Sequence, residues 1–159
     1  MTKSKEYSDR TDLEKIQSQW TKLTGLHARK ESSAAIIRAA TAAEIAANFA
    51  IRKEFARKSQ FSDEFVDSLL MWANGIAGKI DRLLIPLTLG EEHHKTAKKL
   101  KQLSNEINKK RNSVAHQGEF CNPAESEASI QKSKEFIETL VCLYEPTFEL
   151  STKTSKSKT

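Results

Sequence analysis

The sequence predicts an all-α protein, an up-down bundle of four or five helices. Three observations lead there. Only five Gly and three Pro interrupt 159 residues, and these are the residues that break helices. Ala, Lys, Glu and Leu dominate while long β-branched runs are absent, which favours helix over sheet. Apolar residues recur at three- and four-residue steps over most of the chain, and at 38% hydrophobic content they suffice for one buried core.

Taken in order, residues 1–10 are polar and are expected to form a flexible N-terminus. Thr11-Asp12-Leu13-Glu14 is a capping box, with Thr11 as N-cap and Glu14 three positions on. The helix it opens should run to about Leu23 and end before Gly25, burying Leu13, Ile16, Trp20 and Leu23. A long second helix is predicted from about His27 to Lys58, its inner face marked by Ile36, Ala39, Ala40, Ala43, Ala47, Ala50 and Ile51. Small side chains there let a neighbouring helix approach closely, and Arg52, Lys53, Arg57 and Lys58 suit the negative C-terminal end of the dipole.

Ser62 or Asp63 caps a third helix predicted to reach about Ile85, with Gly75 and Gly78 marking a bend or a close contact and Pro86 ending it. The fourth is predicted from about Glu91 to Ala115 or His116, with Leu100, Leu103, Ile107 and Val114 inside and Gly118 as the left-handed stop. Asn122-Pro123-Ala124-Glu125 then starts the fifth, which runs to about Tyr144 before Pro146. The helical domain is thus expected over 11–148, followed by a disordered basic tail over 149–159. No internal repeat or second domain is evident.

Net charge is +5, but Lys153, Lys156 and Lys158 of the tail contribute three of those charges, so the balance by itself says little about partners. Two cysteines, Cys121 and Cys142, make no disulfide framework, and the polar N-terminus does not read as a signal peptide. Both predict a cytoplasmic protein with reduced thiols. The longest purely apolar runs, 83–87 and 69–73, are too short to cross a bilayer, so no membrane partner is expected. His93 and His94 are adjacent and point apart on a helix, His27 is isolated, and no Cys/His spacing suits zinc. No metal and no cofactor is expected.

The chemistry-bearing segment is Arg111-Asn112-Ser113-Val114-Ala115-His116, followed by Gln117-Gly118. One helical turn separates Asn112 from His116, and Arg111 is the adjacent position, so all three can line one cleft edge. A fixed cation beside an imidazole is what phosphodiester cleavage requires: the guanidinium stabilises phosphate charge and the imidazole moves a proton. The plain alternative is that His116 caps a helix end and Arg111 is a solvated charge.

The Arg-Asn-x-x-x-His pattern at a helix end, after an Ala-rich helix and before a last helix, resembles the HEPN superfamily. The likeness lies in Ala39 to Phe55 and Lys110 to Glu119, and with the last helix covers most of residues 30–145. The resemblance implies a bundle that dimerises and a metal-independent endoribonuclease with Arg/His motifs paired across the interface. It implies that Arg111 binds the scissile phosphate, that His116 carries a proton, and that Asn112 orients them, with 2'-hydroxyl attack leaving a cyclic phosphate. Toxin members have Tyr two places after the His. Gly118 stands there in this chain, so the likeness is to the branch found in defence proteins and uncharacterised single domains.

Four further residues are candidates for binding substrate. Glu44 is an acid on an Ala-rich face, and it or Asn48 can reach the cleft; a solvent-boundary position is the alternative for Glu44. Lys109 and Lys110 belong to a basic stretch, Lys95, Lys98, Lys99, Lys101, Lys109, Lys110 and Arg111, that contains one acid, Glu106. Such a helix guides an RNA backbone by charge, although a solvated face is the commoner explanation. No aromatics interleave with it, so little base reading is expected. Two other functions compete with cleavage: a non-catalytic module binding a nucleotide or a protein regulator, and a structural adaptor whose basic helix meets an acidic partner.

Overall fold

The computed structural model describes residues 4–73 and 75–151. A short 3-10 turn, Tyr7–Asp9, leads into α1 (Asp12–Ala28), α2 (Ser32–Lys58) and α3 (Asp63–Trp72). There follow α4 (Ile76–Lys79), a π-helical stretch (Ile80–Leu84) and α5 (Ile85–Leu87), then α6 (His94–Gln117) and α7 (Pro123–Cys142). Among the described residues there is no strand, and the molecule is a helical bundle.

The architecture is centred on α2. Ala35, Ala39, Ala42, Ala43, Ala46, Ala47 and Ala50 are fully buried, and their lack of bulk lets α1, α6 and α7 close around it. α2 has the length and apolarity of a membrane-crossing helix (mean hydropathy 1.4), but 61% of that window is buried inside the protein. Trp20, Leu23, Phe136, Ile137 and Leu140 complete the core from α1 and α7. By contrast α3 is lightly attached: it packs mainly on α2 through Val66 and Leu70, leaving Phe65, Met71 and Trp72 exposed.

Local signals were read well where capping chemistry decides the boundary. Thr11 Oγ1 accepts from the Glu14 amide at 3.2 Å, Ser62 caps α3, and Asn122 with Glu125 closes a reciprocal capping box. Gly118 stops α6 in the left-handed conformation.

Four expectations need correction. First, α1 continues through Gly25 to Ala28. Its end is a Schellman closure, with Glu31 N–H donating to Leu26 O and Lys30 N–H to His27 O. Lys30 takes the positive φ of 59° that Gly would normally supply, which delays the start of α2 from 27 to Ser32. Second, the single helix predicted from 62 or 63 to 85 is broken after Trp72. Gly75 adopts φ 77°, ψ 152°, a conformation open essentially to Gly alone, and helix resumes at Ile76, running past Pro86 to Leu87. Third, residues 7–10 of the expected flexible arm are tied down: Arg10 donates to Ser18 Oγ at 2.9 Å, and Gln19 to Tyr7 Oη at 3.1 Å. Fourth, the expected tail starts too early, because Leu150 is buried and Gln17 bonds Ser151 O at 3.0 Å. Residues 152–159 lie outside the described residues.

Candidate functional site

The last two turns of α6, the middle of α2 and the segment joining α3 to α4 enclose a polar cleft of about 460 Å³. α6 contributes Asn108, Arg111, Asn112 and His116, α2 contributes Ala40, Thr41 and Glu44, and Gly75 and Ile76 form the third wall. The three motif residues are therefore brought together, as helical spacing predicts, and Glu44 joins them from the opposite helix. Asn112 sits at the cleft edge while Arg111 and His116 are exposed.

Arg111 organises the α6 side. Its Nη1 donates to Asn112 Oδ1 at 3.2 Å and approaches His116 Nε2 at 3.3 Å. A guanidinium can only donate, so Nε2 is the acceptor and the proton of the neutral ring sits on Nδ1. The lone pair that would take or return a proton thus points at the group that would hold a phosphate. On the facing wall Glu44 Oε1 accepts from Lys79 Nζ at 2.7 Å. Lys79 is 3% exposed, so its buried ammonium is matched by a carboxylate that opens to the cleft. With Glu44 offset by Lys79, the remaining fixed charge among the cleft residues is that of Arg111, which favours an anion.

Gly75 is where the third wall comes closest to α6. A Cβ on it would lie 3.0 Å from Asn108 Oδ1, so the Asn108 side chain would have to give way, and its φ of 77° favours Gly in any case. Asn48 lines an adjoining recess of about 390 Å³ together with Glu44, Arg52, Asp67, Met71, Ala73, Gly75 and Lys79. Its Oδ1 is buried without a hydrogen-bond partner among the described residues.

The basic residues divide. Lys109 is exposed on α6 and does not line the cleft. Lys110 faces the other way, 2.7 Å from Glu119 Oε1 and 3.6 Å from Glu125 Oε1, in a smaller pocket of about 200 Å³ behind Ala40. The hydrogen bond from Lys110, reinforced by one from Ser113, holds the Glu119 carboxyl below its ordinary value, and the same bond raises Lys110. Among the described residues, one group has ligand atoms close enough to share a metal ion: Glu119, Cys121 and Glu125, within 4.8 Å of one another. It lies beyond the cleft, and the Lys110 ammonium is already paired with both of its carboxylates.

Sequence reasoning missed Lys79, Asn108 and Thr41, and it marked Gly75 as a bend or close contact without placing it at the cleft. Asn108 was within reach of it, since it stands one turn before Asn112 on the same face. Lys79 carried no such signal: a lone lysine among apolar residues normally reads as a solvated position. No family model, no curated protein and no solved structure matches this chain.

Proposed function

We propose that the chain is an endoribonuclease of HEPN type that cleaves RNA without a metal ion and works as a homodimer. The observation that carries this reading is one cleft holding Arg111, Asn112 and His116, with the guanidinium against His116 Nε2 at 3.3 Å. Arg111 binds the scissile phosphate and releases Nε2. The 2'-hydroxyl gives up its proton, its oxygen bonds phosphorus, the bond to the 5'-oxygen breaks, and that oxygen is protonated. His116 is the proton carrier and Asn112 keeps Arg111 in register. The products are a 2',3'-cyclic phosphate and a 5'-hydroxyl. Glu44, held by Lys79, lines the same cleft and binds the 2'-hydroxyl as an acceptor.

Arg111 supplies the positive charge that a metal ion would otherwise provide, Lys79 offsets Glu44, and among the described residues Glu44 is the one carboxylate lining the cleft. A second copy adds a second Arg/His pair, separating the tasks of proton acceptor and donor. Any role in phage defence or stress, or under a protein regulator, rests on family analogy.

The test is cleavage of a mixed single-stranded RNA in EDTA by wild type and His116→Ala. Cyclic-phosphate ends formed by wild type should fall roughly 10²- to 10⁴-fold in the variant. Its melting temperature should stay unchanged, because the His116 side chain is exposed. An inert wild type that still dimerises would reject constitutive cleavage and favour a module that binds nucleotides without cutting.

A further inference from the structure

We propose that Trp72 is a stacking platform for an unpaired base of the strand held in the Arg111/His116 cleft. The ligand is then single-stranded RNA laid along α6. This rests on the ribonuclease reading and narrows its substrate class.

The chain has two tryptophans, and they are used oppositely. Trp20 is 1% exposed in the core, whereas Trp72 is 82% exposed. Indoles are among the most buried side chains on average, so an indole this open invites a partner. Trp72 ends α3, and both of its neighbours, Met71 and Ala73, line the recess that shares Glu44 and Gly75 with the cleft. Trp72 itself lines neither depression, but it stands three residues before Gly75, which lines both, so the chain holds its Cα within about 11 Å of the cleft wall. From Ser68 to Ile80 the chain carries no acid, so a phosphodiester passing Trp72 meets no like charge from this segment. Phe61 and Phe65 are also exposed, but they precede Gly75 by fourteen and ten residues and line no part of the Arg111/His116 cleft, and they form no part of the platform.

Helical spacing supplies the rest of the path. Lys98, Asn105 and Asn112 recur every seven residues on α6, as do Lys109 and His116, which places them on one face running ~27 Å into the cleft. Lys101 on that face is engaged by Asp81 at 2.7 Å, whereas Lys98 and Lys109 have no acidic partner among the described residues. A charged track and an exposed aromatic on one molecule are the two parts that single-strand binding combines. In a duplex both faces of a base are already stacked, so only an unpaired base can reach the indole.

The two tryptophans make the test direct. In a His116→Ala background that does not cut, a mixed-sequence RNA oligonucleotide is titrated while tryptophan emission and the anisotropy of end-labelled RNA are followed. The single strand should quench emission saturably, and a duplex of equal length should not. Adding Trp72→Ala should abolish the quench and weaken binding roughly five- to 150-fold, while Trp72→Phe should retain most of the affinity. Equal anisotropy affinities for the parent and Trp72→Ala would overturn the stacking role yet leave the ribonuclease reading standing. RNA that binds neither form would remove both. A free protein that is dimeric, with its Trp emission shielded from acrylamide, would assign this face to a second copy instead.

Discussion

Glu54 and Glu44 lie on the same helix and are treated in opposite ways. Glu54 is fully buried, and its oxygens are spent on partners that reach in from outside: Tyr144 Oη donates to Oε1 at 2.7 Å, and Arg57 Nη2 lies 2.8 Å from Oε2. Arg57 and Lys58 also bond Glu91, tying the end of α2 to the start of α6. At Glu44 the cation is the buried member and the carboxylate is 41% exposed, with Oε1 alone engaged among the described residues. The C-terminal end of α2 encloses its acid, and the middle, open to the cleft, presents it. A fully partnered carboxylate holds structure, and a half-partnered one beside Arg111 and His116 is available to a ligand.

The largest expected effect is at the enclosed end. Glu54→Ala leaves the half-buried Tyr144 hydroxyl without its acceptor and should cost about 1–3 kcal/mol, the penalty of an unsatisfied donor, since the exposed Arg57 keeps Glu91 as a partner. For a chain of this size that lowers the melting temperature by roughly 2–12 °C. A loss under about 1 kcal/mol in thermal or urea unfolding would erase the contrast between the two acids.

The same cluster gives stability a pH dependence at both extremes. Burial pushes the Glu54 carboxyl up, but hydrogen bonds from Arg57 and Tyr144 outweigh it and hold the group below the ordinary 4.5. A lowered carboxyl contributes stability that is present above pH 4.5 and lost as pH falls through the folded value. Burial, followed by the bond to Glu54, raises the Tyr144 phenol above its ordinary 10.0. That contribution is present below pH 10 and disappears as pH rises through the folded value. Melting temperature should therefore fall on both sides of a neutral plateau. Glu54→Ala should remove its share of the acid limb and only lessen the alkaline one, because burial is the larger cause of the raised phenol.

The enclosed end and the open middle were not equally legible in the sequence. Caps at Thr11, Ser62 and Asn122 are local chemistry and could be read directly, as could the Ala stripe of α2 and the shared face of Arg111, Asn112 and His116. Glu44 was singled out because an acid among alanines is conspicuous, but its partner was not, since nothing local marks Lys79 as buried. Glu54 drew no notice at all: it stands in a charged stretch that reads as solvated, and Tyr144 arrives from far along the chain. Gly75 was marked as a bend or a close contact, but apolar spacing from Val66 through Leu70, Ile76 and Ile80 continues across it, so periodicity argued for one helix. Helix instead stops at Trp72, and Gly75 takes a φ of 77° beside Asn108 of α6. Leu150 was lost to a composition argument, although Phe148 and Leu150 are the apolar residues of an otherwise polar end.

Gly75→Ala tests the open middle through the backbone of the facing wall. The substitution forces a Cβ into a conformation that costs about 1–3 kcal/mol and sets it 3.0 Å from Asn108 Oδ1. The third wall should move away from α6, with RNA cleavage reduced more than stability. Gly78→Ala is the control, because nothing lies within 4 Å of its added Cβ and Ala favours helix there. Equal behaviour of the two variants would show that the wall does not shape the cleft.

The smallest stability effect is expected at Lys79, where the comparison is sharpest. Lys79→Met keeps the length of the side chain and removes a buried ammonium. Glu44 is left without its partner but can be hydrated from the cleft. Replacing a buried charge by a well-packed apolar group is often neutral or better, so unfolding should shift by less than about 1 kcal/mol, below the Glu54→Ala loss. Function should not be spared. The cleft loses the charge that offsets Glu44, and RNA affinity should drop roughly fivefold, the effect of about 1 kcal/mol at water-like screening. Glu44→Gln in the same background should restore that affinity by removing the uncompensated negative charge. A Lys79→Met protein that unfolds as readily as Glu54→Ala would mean that the open pair, like the enclosed one, exists to hold the helices together.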